Sequence, residues 1–515
     1  MDTNQILSNL SFGKVDAESD DKLANCFIGT DLFKQTLQPR HTLLLGGKGS
    51  GKSAFFRLLS QDIYRLTPLL HNSFTEIYSI PAYGLHSDEY ISYSEIQEIN
   101  PQTIDDFKYF WQLYFGLKTA GHIATCPRMR SRVNSSKSDS LKSNYNTIIS
   151  LLSEIGLYRH DDYIGRMNRK IKDLLFLHQT NFSTTTAEKG RILTKTYKGK
   201  TALNIVSLLD LVDKVLKETK CLAWILADQI DLLYLDNLER REKAITALIQ
   251  LLIVYSNRFS NINLKVFLRT DIFKELQIVN KSHLVSLTVE LKWADNLLIK
   301  LLVARAVHDR VVRAYCEKIL NENLDVVKVI SANDELMEKV FHLIFNLNIN
   351  GHKWIMKRMI DGLGMLYPRE FIHLGNQAVI KQREINKLLS THTNDGVSEQ
   401  ISQNILSVKA IKEAFSEVSK YRCDTFLYAE FPHLKNHFNQ FKGLTKILIS
   451  REELYTMFNG LTPSGANAVR AIYETGLLQP IGNKNVDACL KFTIPPLYKS
   501  GLGIVSRRKK SVSIS

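Results

Sequence analysis

Cysteine is scarce in this sequence, with six among 515 residues. None of the six stands in a C-x-x-C pair, and none has a histidine at the spacing of a zinc ligand set. The scattered thiols argue against a disulfide framework and against a structural zinc. They predict that the protein is located in the reducing interior of a cell.

Long hydrophobic runs are also missing. The run over residues 247–255 is interrupted by Gln250 and is too short to cross a bilayer. The first ten residues, MDTNQILSNL, contain neither a positively charged region nor a long apolar one, so no signal peptide is predicted. We therefore expect no membrane association and a cytoplasmic location.

The catalytic patterns of nucleases and proteases are absent as well. The sequence has no HNH motif, no paired catalytic carboxylates on a separate domain and no Ser–His pair that indicates a triad. Any effector activity is therefore expected from a partner protein. A chain of this length is expected to form roughly two to four domains.

Positive charge is what the sequence has in excess, with a net charge of +15 and a pI near 9.3. Residues 128–200 carry fifteen Lys and Arg against six Asp and Glu, a net +9, among Ser-, Asn- and Thr-rich tracts. This composition predicts a partly mobile insertion that binds a polyanion, most simply nucleic acid. The alternative is a solvated basic surface and a connector without a partner.

The most specific motif lies at residues 41–59, HTLLLGGKGSGKSAFFRLL. A strand-like run over 41–45 precedes G-x-x-x-x-G-K-S, and a helix-compatible run over 54–59 follows it, as in phosphate-binding loops. Glycines let successive backbone N–H groups point at phosphate oxygens, and the helix N-terminus adds partial positive charge. Nucleotide binding is predicted for Gly46, Gly47, Lys48, Gly49, Ser50, Gly51, Lys52, Ser53 and Ala54.

Two residues of this loop have separate expected roles. Lys52 is expected to reach the β- and γ-phosphates, and the Ser53 hydroxyl is expected to bind Mg²⁺. Two alternatives stay open: a glycine-rich turn without a ligand, and a loop that binds nucleotide without hydrolysing it.

An apolar run over residues 221–227 ends in Asp228, which is typical of a buried parallel strand that carries a metal-binding acid. Asp228 is expected at the carboxyl end of this strand, where it holds Mg²⁺ through water opposite Ser53. Asp231 is a candidate to orient or deprotonate the attacking water, and its alternative role is the N-cap of the next helix. Because Gln229 rather than an acid follows Asp228, slow turnover is expected.

Arg269 is a first candidate to contact the γ-phosphate. It follows a buried strand over residues 263–268 and therefore lies at the tip of a strand. Its alternative role is a structural ion pair with Asp271 or Asp228.

Arg369 is a second candidate. It follows Pro368, a favourable first residue of a helix, within a region over 295–440 that is nearly all helix by periodicity. An arginine on a helical lid could clamp the γ-phosphate and report its loss. The alternative is an ordinary surface arginine beside Glu370.

Residues 441–505 change character again. A helix over SREELYTMF, a turn, a second helix from near Ser464 and two strands around an Asn-rich turn at 482–485 follow in the order of a winged helix. Asn467 and Arg470 on the second helix are candidate base or phosphate contacts, and a protein-docking module is the alternative. The letters RRKK at 507–510 predict an exposed basic tail.

Several motifs together resemble a group of bacterial P-loop ATPases related to the KAP and STAND branches of the AAA+-like NTPases. They are FGKVDAESD, LLLGGKGSGKSAFF, WILADQIDLL, VFLRTDIF, LKWADNLL and YPREFIHLGNQA. The resemblance implies ATP as the nucleotide and an ASCE-type sheet in which the Asp228 strand lies beside the 41–45 strand. It also implies a sensor-two-like role for Arg369 and, by analogy, a place in a bacterial conflict or antiviral defence system.

The predicted fold class is α/β: a P-loop NTPase core with a parallel sheet, followed by an all-α domain and a small winged-helix-like domain. The predicted boundaries are 1–40 for a lead-in, 41–290 for the core, 291–440 for a helical lid, 441–505 for the winged-helix-like domain and 506–515 for the tail. The predicted function is an ATP- and Mg²⁺-dependent ATPase switch, a homo-oligomer that couples nucleotide state to nucleic-acid or effector-protein binding. The alternative is a nucleotide-gated DNA-binding module, or an effector-recruiting scaffold, with negligible hydrolysis.

Overall fold

The computed structural model describes residues 3–29, 31–66, 76–83, 91–159, 162–179, 194–197, 200–278, 281–331, 334–347, 351–392 and 404–505. The chain divides into two units by its internal contacts. The helical unit consists of Met1–Thr30, Lys48–Gly51 and Lys292–Ser515. The sheet unit consists of Asp31–Gly47 and Lys52–Leu291.

The strands of the described residues belong to three sheets. In chain order they are β1 (Leu43–Gly46), β2 (Glu76–Tyr83), β3 (Thr194–Tyr197), β4 (Lys200–Leu203), β5 (Cys221–Ala227), β6 (Ile262–Arg269), β7 (Thr288–Glu290), β8 (Leu448–Ser450), β9 (Gln479–Ile481) and β10 (Lys491–Thr493).

The helices fill most of the remaining described chain. Those up to residue 275 are α1 (Thr3–Asn9), α2 (Asp31–Thr36), α3 (Lys52–Gln61), α4 (Ile63–Leu66), α5 (Tyr93–Ile99), α6 (Ile104–Thr125), α7 (Pro127–Ser135), α8 (Asp139–Glu154), α9 (Tyr163–Gln179), α10 (Ile205–Glu218), α11 (Leu238–Arg258) and α12 (Thr270–Glu275). Those that follow are α13 (Asp295–Val307), α14 (Arg310–Leu320), α15 (Val326–Ser331), α16 (Asp334–Ile344), α17 (Gly351–Met359), α18 (Pro368–His392), α19 (Val408–Arg422), α20 (Lys435–Asn439), α21 (Arg451–Met457), α22 (Gly465–Glu474) and α23 (Pro496–Lys499).

The sheet unit contains a five-stranded parallel sheet in the order β2-β5-β6-β1-β7. Strand β6 lies between β5 and β1, and its Val266 is opposite Ala227 on one side and Leu43 on the other. The expectation that the Asp228 strand lies beside the 41–45 strand is therefore wrong. The physical reason is that β6 is buried at every residue but its last, so it is stabilised most where both of its edges are paired and both faces are covered.

The basic insertion is packed where the structure describes it. Helices α7, α8 and α9 contribute Met129, Ile148 and Met167 to the same hydrophobic core as the parallel sheet. Each of these helices buries an apolar face, and the expectation that the insertion is partly mobile stays a prediction. Residues 160–161, 180–193 and 198–199 of the insertion lie outside the described part of the chain.

The helical unit has its own hydrophobic core, built from α1 and α13–α19 together with the small C-terminal sheet. Residues 1–30 belong to this unit by their contacts, and Arg305 of α13 donates a 2.8 Å hydrogen bond to the carbonyl oxygen of Phe12. Over the described residues, no helix is long and apolar enough to cross a membrane.

The C-terminal region shows the predicted order of helix, turn, helix and hairpin. Strand β8 precedes α21 and completes a three-stranded antiparallel sheet in the order β8-β10-β9, which the sequence did not predict. On α22, Asn467 and Arg470 are exposed, and Arg470 forms a 2.7 Å ion pair with Asp487 of the hairpin. The name winged helix stays a prediction, and the basic tail at 507–510 lies outside the described residues.

Candidate functional site

The phosphate-loop motif folds as a strand, a loop and a helix. Strand β1 ends at Gly46, and helix α3 begins at Lys52. Between them Gly49 and Gly51 have φ angles of +86° and +95°, in the left-handed region that other residues rarely adopt. The loop conformation therefore depends on glycine at these two positions.

Lys52 lies at the start of α3 with its side chain folded back on the loop. Its Nζ donates hydrogen bonds of 2.9 and 3.0 Å to the carbonyl oxygens of Gly46 and Gly47. Burial lowers the pKa of Lys52, and the nearby carboxylates of Asp228 and Asp231 oppose that effect. The ammonium is thus held at the loop beside two acidic groups.

Asp228 follows β5 directly, and its carboxylate reaches α3. Ser53 Oγ donates a 2.8 Å hydrogen bond to Asp228 Oδ2, and Asp228 is 3% exposed. Burial raises the pKa of Asp228 to about 6, although the charge of Lys52 and the hydrogen bond from Ser53 act in the opposite direction. Hydroxyl and carboxylate oxygens are ligands that Mg²⁺ prefers, so this pair of donors fits the predicted metal.

Asp231 lies three residues further on, in a short 3₁₀ helix over Ile230–Leu232. It is buried, and burial raises its pKa while the charges of Arg269 and Lys52 lower it. The alternative role as a helix N-cap is wrong. Helix α11 begins at Leu238, and its N-cap is Asn237, whose side chain accepts a hydrogen bond from the Arg240 N–H.

Arg269 is the last residue of β6 and lies opposite Gly46 in the sheet register. Its guanidinium forms an ion pair with Asp271, with Nη2 2.6 Å from Oδ2 and Nε 3.2 Å from Oδ1. The sequence suggested Asp271 or Asp228 as a structural partner of Arg269, and the structure shows the ion pair with Asp271. The positive charge of Arg269 also lowers the pKa of Asp231, against the larger effect of burial, which raises it.

Arg369 belongs to the helical unit, in the first turn of α18, which begins at Pro368 as predicted. A Cβ atom on Gly49 would lie 3.3 Å from the Cβ of Arg369, so this arginine is next to the tip of the phosphate loop. Its Nη2 is 3.6 Å from a carboxylate oxygen of Asp16. Glu370 is not a surface neighbour of Arg369, because it is buried and paired with Arg422 at 2.7 Å.

Sequence reasoning missed three side chains near the loop and the sheet. Trp293 Nε1 donates a 2.8 Å hydrogen bond to the carbonyl oxygen of Ser50, and Glu430 forms an ion pair with the predicted loop residue Lys48. Lys265 is fully buried in β6. Its position inside an apolar strand is the one signal that could have marked it.

A family model described as ORC-CDC6-like matches residues 12–269, which is half of the chain and includes both the phosphate loop and Asp228. The chain belongs to the ORC-CDC6-like family. Membership of this family confirms the broader resemblance of the ORC-CDC6-like chain to AAA+-like P-loop ATPases of the ASCE class. The narrower resemblance to the KAP and STAND branches stays a prediction.

Two solved structures are similar to this ORC-CDC6-like chain over most of its length. The Aeropyrum pernix Orc1 protein in complex with DNA is 12% identical, with 91% of this chain and 90% of that chain covered and a TM-score of 0.29. Cdc6p from Pyrobaculum aerophilum is 10% identical, with 94% and 96% covered and a TM-score of 0.28. No curated protein matches the sequence of this chain.

Proposed function

We propose that this protein is an ATP-dependent switch, which binds and slowly hydrolyses ATP and couples its nucleotide state to nucleic-acid binding. The observation that carries the proposal is the contact between Ser53 and Asp228 beside the ammonium of Lys52. Family membership supports a nucleotide-binding ATPase in general.

The proposed roles in binding follow from this geometry. Lys52 would hold the β- and γ-phosphates, and Ser53 and Asp228 would hold Mg²⁺, Asp228 through water. Bound Mg²⁺ supplies positive charge that offsets the negative charge of the phosphates. The backbone N–H groups of the glycine-rich loop and the N-terminus of α3 would bind the phosphate oxygens.

The proposed roles in hydrolysis fall to Asp231 and the two arginines. Asp231 is buried near Arg269 and Lys52, and burial raises its pKa, which makes its carboxylate a stronger base toward water. Arg269 and Arg369 would stabilise the charge that develops on the γ-phosphate. Because Gln229 replaces an acid after Asp228, we expect slow turnover.

A nucleic-acid partner is supported by the charge of the chain, which is +15 overall. The exposed side chains of Asn467 and Arg470 on α22 are the proposed contacts. A homo-oligomer, an effector-protein partner and a role in a bacterial defence system rest on the sequence resemblance and stay predictions.

A second candidate function is a nucleotide-gated DNA-binding module with negligible hydrolysis. The observation that favours it is Gln229, which has a left-handed backbone at φ 59° and places an amide after Asp228. In this case the nucleotide would regulate DNA binding. Phosphate release would stay at background with or without DNA.

The test combines one variant with two measurements. We expect Lys52→Ala to weaken binding of a fluorescent ATP analogue at least about tenfold, since one charge-assisted contact to phosphate contributes that much. We also expect it to abolish phosphate release. Lys214→Ala, an exposed lysine on α10 of the same unit, is the matched control and should bind as the parent does. Parental hydrolysis by Lys52→Ala would overturn the assignment.

The two candidate functions are separated by adding a labelled DNA duplex. Phosphate release that increases with duplex supports the switch. A steep loss of duplex affinity with salt, together with flat and negligible phosphate release, supports the DNA-binding module.

A further inference from the structure

The tip of the phosphate loop, Lys48–Gly51, makes its contacts within the helical unit, to which it belongs. Ser50 accepts a hydrogen bond from Trp293, and Gly49 packs so closely that an added Cβ would lie 3.3 Å from Arg369 and 3.5 Å from Tyr367. Lys48 is the one residue of the tip with a charged side chain. Its ammonium is therefore the group at this tip that a phosphate would attract most strongly.

The ammonium of Lys48 is already engaged by two acceptors. It forms an ion pair with Glu430 Oε1 and lies 3.4 Å from the carbonyl oxygen of Thr425. The side chains of Lys48 and Glu430 are 29% and 21% exposed, so the pair is largely removed from water. Such partly buried charged hydrogen bonds contribute more than ion pairs at the open surface.

Both acceptors lie in or directly after the π-helix that continues α19. Thr425 lies in this helix, which spans Cys423–Tyr428, and Glu430 follows two residues later. A π-helix is rare and is often found at functional sites. Arg422, at its start, is buried against Glu370 at 2.7 Å, and its guanidinium is 3.6 Å from the centre of the Phe426 ring. These contacts anchor the start of the π-helix.

We propose that Glu430 competes with nucleotide phosphates for the ammonium of Lys48 and so sets the nucleotide affinity of the loop. This inference rests on the proposed function, because it requires the loop to bind a nucleotide. A bound triphosphate draws the ammonium of Lys48 away from the carboxylate of Glu430. The two effects are linked and have the same coupling free energy. The contact between Lys48 and Glu430 weakens nucleotide binding, and nucleotide binding weakens this contact of the loop tip with the π-helix by the same amount.

The test measures the affinity for a fluorescent ATP analogue in full-length variants. We expect Glu430→Gln to bind the analogue about five- to tenfold more tightly than the parent, the range for losing one partly buried charged competitor. Asp424→Asn is the matched control, since it removes one carboxylate from the exposed side of the same π-helix. The control is expected to stay within about twofold of the parent.

A double-variant cycle shows whether the effect acts through Lys48. In a Lys48→Gln background, Glu430→Gln is expected to give no gain beyond the control. Any of three results overturns the inference: an equal gain in affinity in the Lys48→Gln background, an equal gain in affinity from Asp424→Asn, or no gain in affinity from Glu430→Gln. If circular dichroism shows that Glu430→Gln is misfolded, Glu430→Asp takes its place, with an expected gain of about two- to threefold because the shorter side chain weakens the pair.

The failure of the inference is distinct from the failure of the proposed function. A parent protein that binds no nucleotide overturns both. A parent that binds the analogue and loses it in Lys52→Ala, together with an unchanged Glu430→Gln, overturns this inference and leaves the proposed function standing.

Discussion

Ser53 and Asp228 are 175 positions apart in the chain, yet the hydroxyl of Ser53 donates a 2.8 Å hydrogen bond to the Asp228 carboxylate. The contact arises because α3 starts after the loop that follows β1, and Asp228 directly follows β5. Both positions lie at the carboxyl ends of strands of the same parallel sheet. Two oxygen ligands for a hard cation are thereby brought together from distant segments.

The first prediction concerns the pH dependence of nucleotide binding through Asp228. Burial raises the pKa of Asp228 to about 6, so below that pH the carboxyl is protonated and cannot hold Mg²⁺. We therefore expect Mg²⁺-dependent affinity for a fluorescent ATP analogue to increase as the pH rises through about 6. Titrations of Asp228→Asn over the same range should lack this step. An identical step in the variant would show that another group is responsible.

The second prediction separates binding from turnover at Arg369. Its side chain lies next to Gly49 at the loop tip and 3.6 Å from Asp16, so it is placed to respond to what the loop binds. If Arg369 stabilises charge that develops in the transition state, Arg369→Ala should lower the rate of phosphate release about tenfold or more and change nucleotide affinity little. Arg310→Ala, an exposed arginine at the start of α14, serves as the control. A loss of affinity that equals the loss of rate would contradict the assigned role.

The third prediction concerns the buried ion pair between Arg305 and Asp20. Both side chains are 2% exposed, their atoms are 2.6 Å apart, and Asp20 also accepts hydrogen bonds from the N–H groups of Lys14 and Lys22. We expect Arg305→Met to destabilise the protein by about 3–5 kcal/mol, because it leaves a buried carboxylate without its cation. In urea-induced unfolding, Arg305→Met combined with Asp20→Asn should cost clearly less than the sum of the single variants. Strict additivity would mean that the two charges do not act on each other.

The fourth prediction concerns the fully buried Lys265. Its Nζ donates to the carbonyl oxygens of Thr36, Gln38 and His41 and lies 4.5 Å from the centre of the Trp224 ring. Burial lowers its pKa to about 7, below the value of 10.5 in an unfolded chain. Between these values the unfolded state binds the additional proton, so stability should rise with pH from about 7 to about 10.

The measurement for Lys265 compares the parent with Lys265→Met, which removes the titrating group. The free energy of unfolding of the parent should increase relative to the variant over that pH range. A difference that stays constant across it would show that the lysine keeps its ordinary pKa inside the sheet.

Local patterns were sufficient for the elements that carry the site. The run of apolar residues before Asp228 folds as β5 over Cys221–Ala227, and the glycine-rich motif folds as a loop between β1 and α3. Both depend on interactions among near neighbours, namely strand propensity, glycine backbone freedom and the start of a helix. Asp231 shows the limit of such reasoning, because the helix whose N-cap was its alternative role starts seven residues later, at Leu238.

Local sequence patterns therefore predict a glycine-rich phosphate loop, an acid after a buried strand and an excess of positive charge. The spatial arrangement depends on tertiary contacts: β6 lies between β5 and β1, Glu370 is buried against Arg422, Lys265 lies inside the sheet and Lys48 is paired with Glu430. The physical reason is that strand order and ion pairing join residues far apart in the chain. Their partners are set by which surfaces are buried together, and no local periodicity records that.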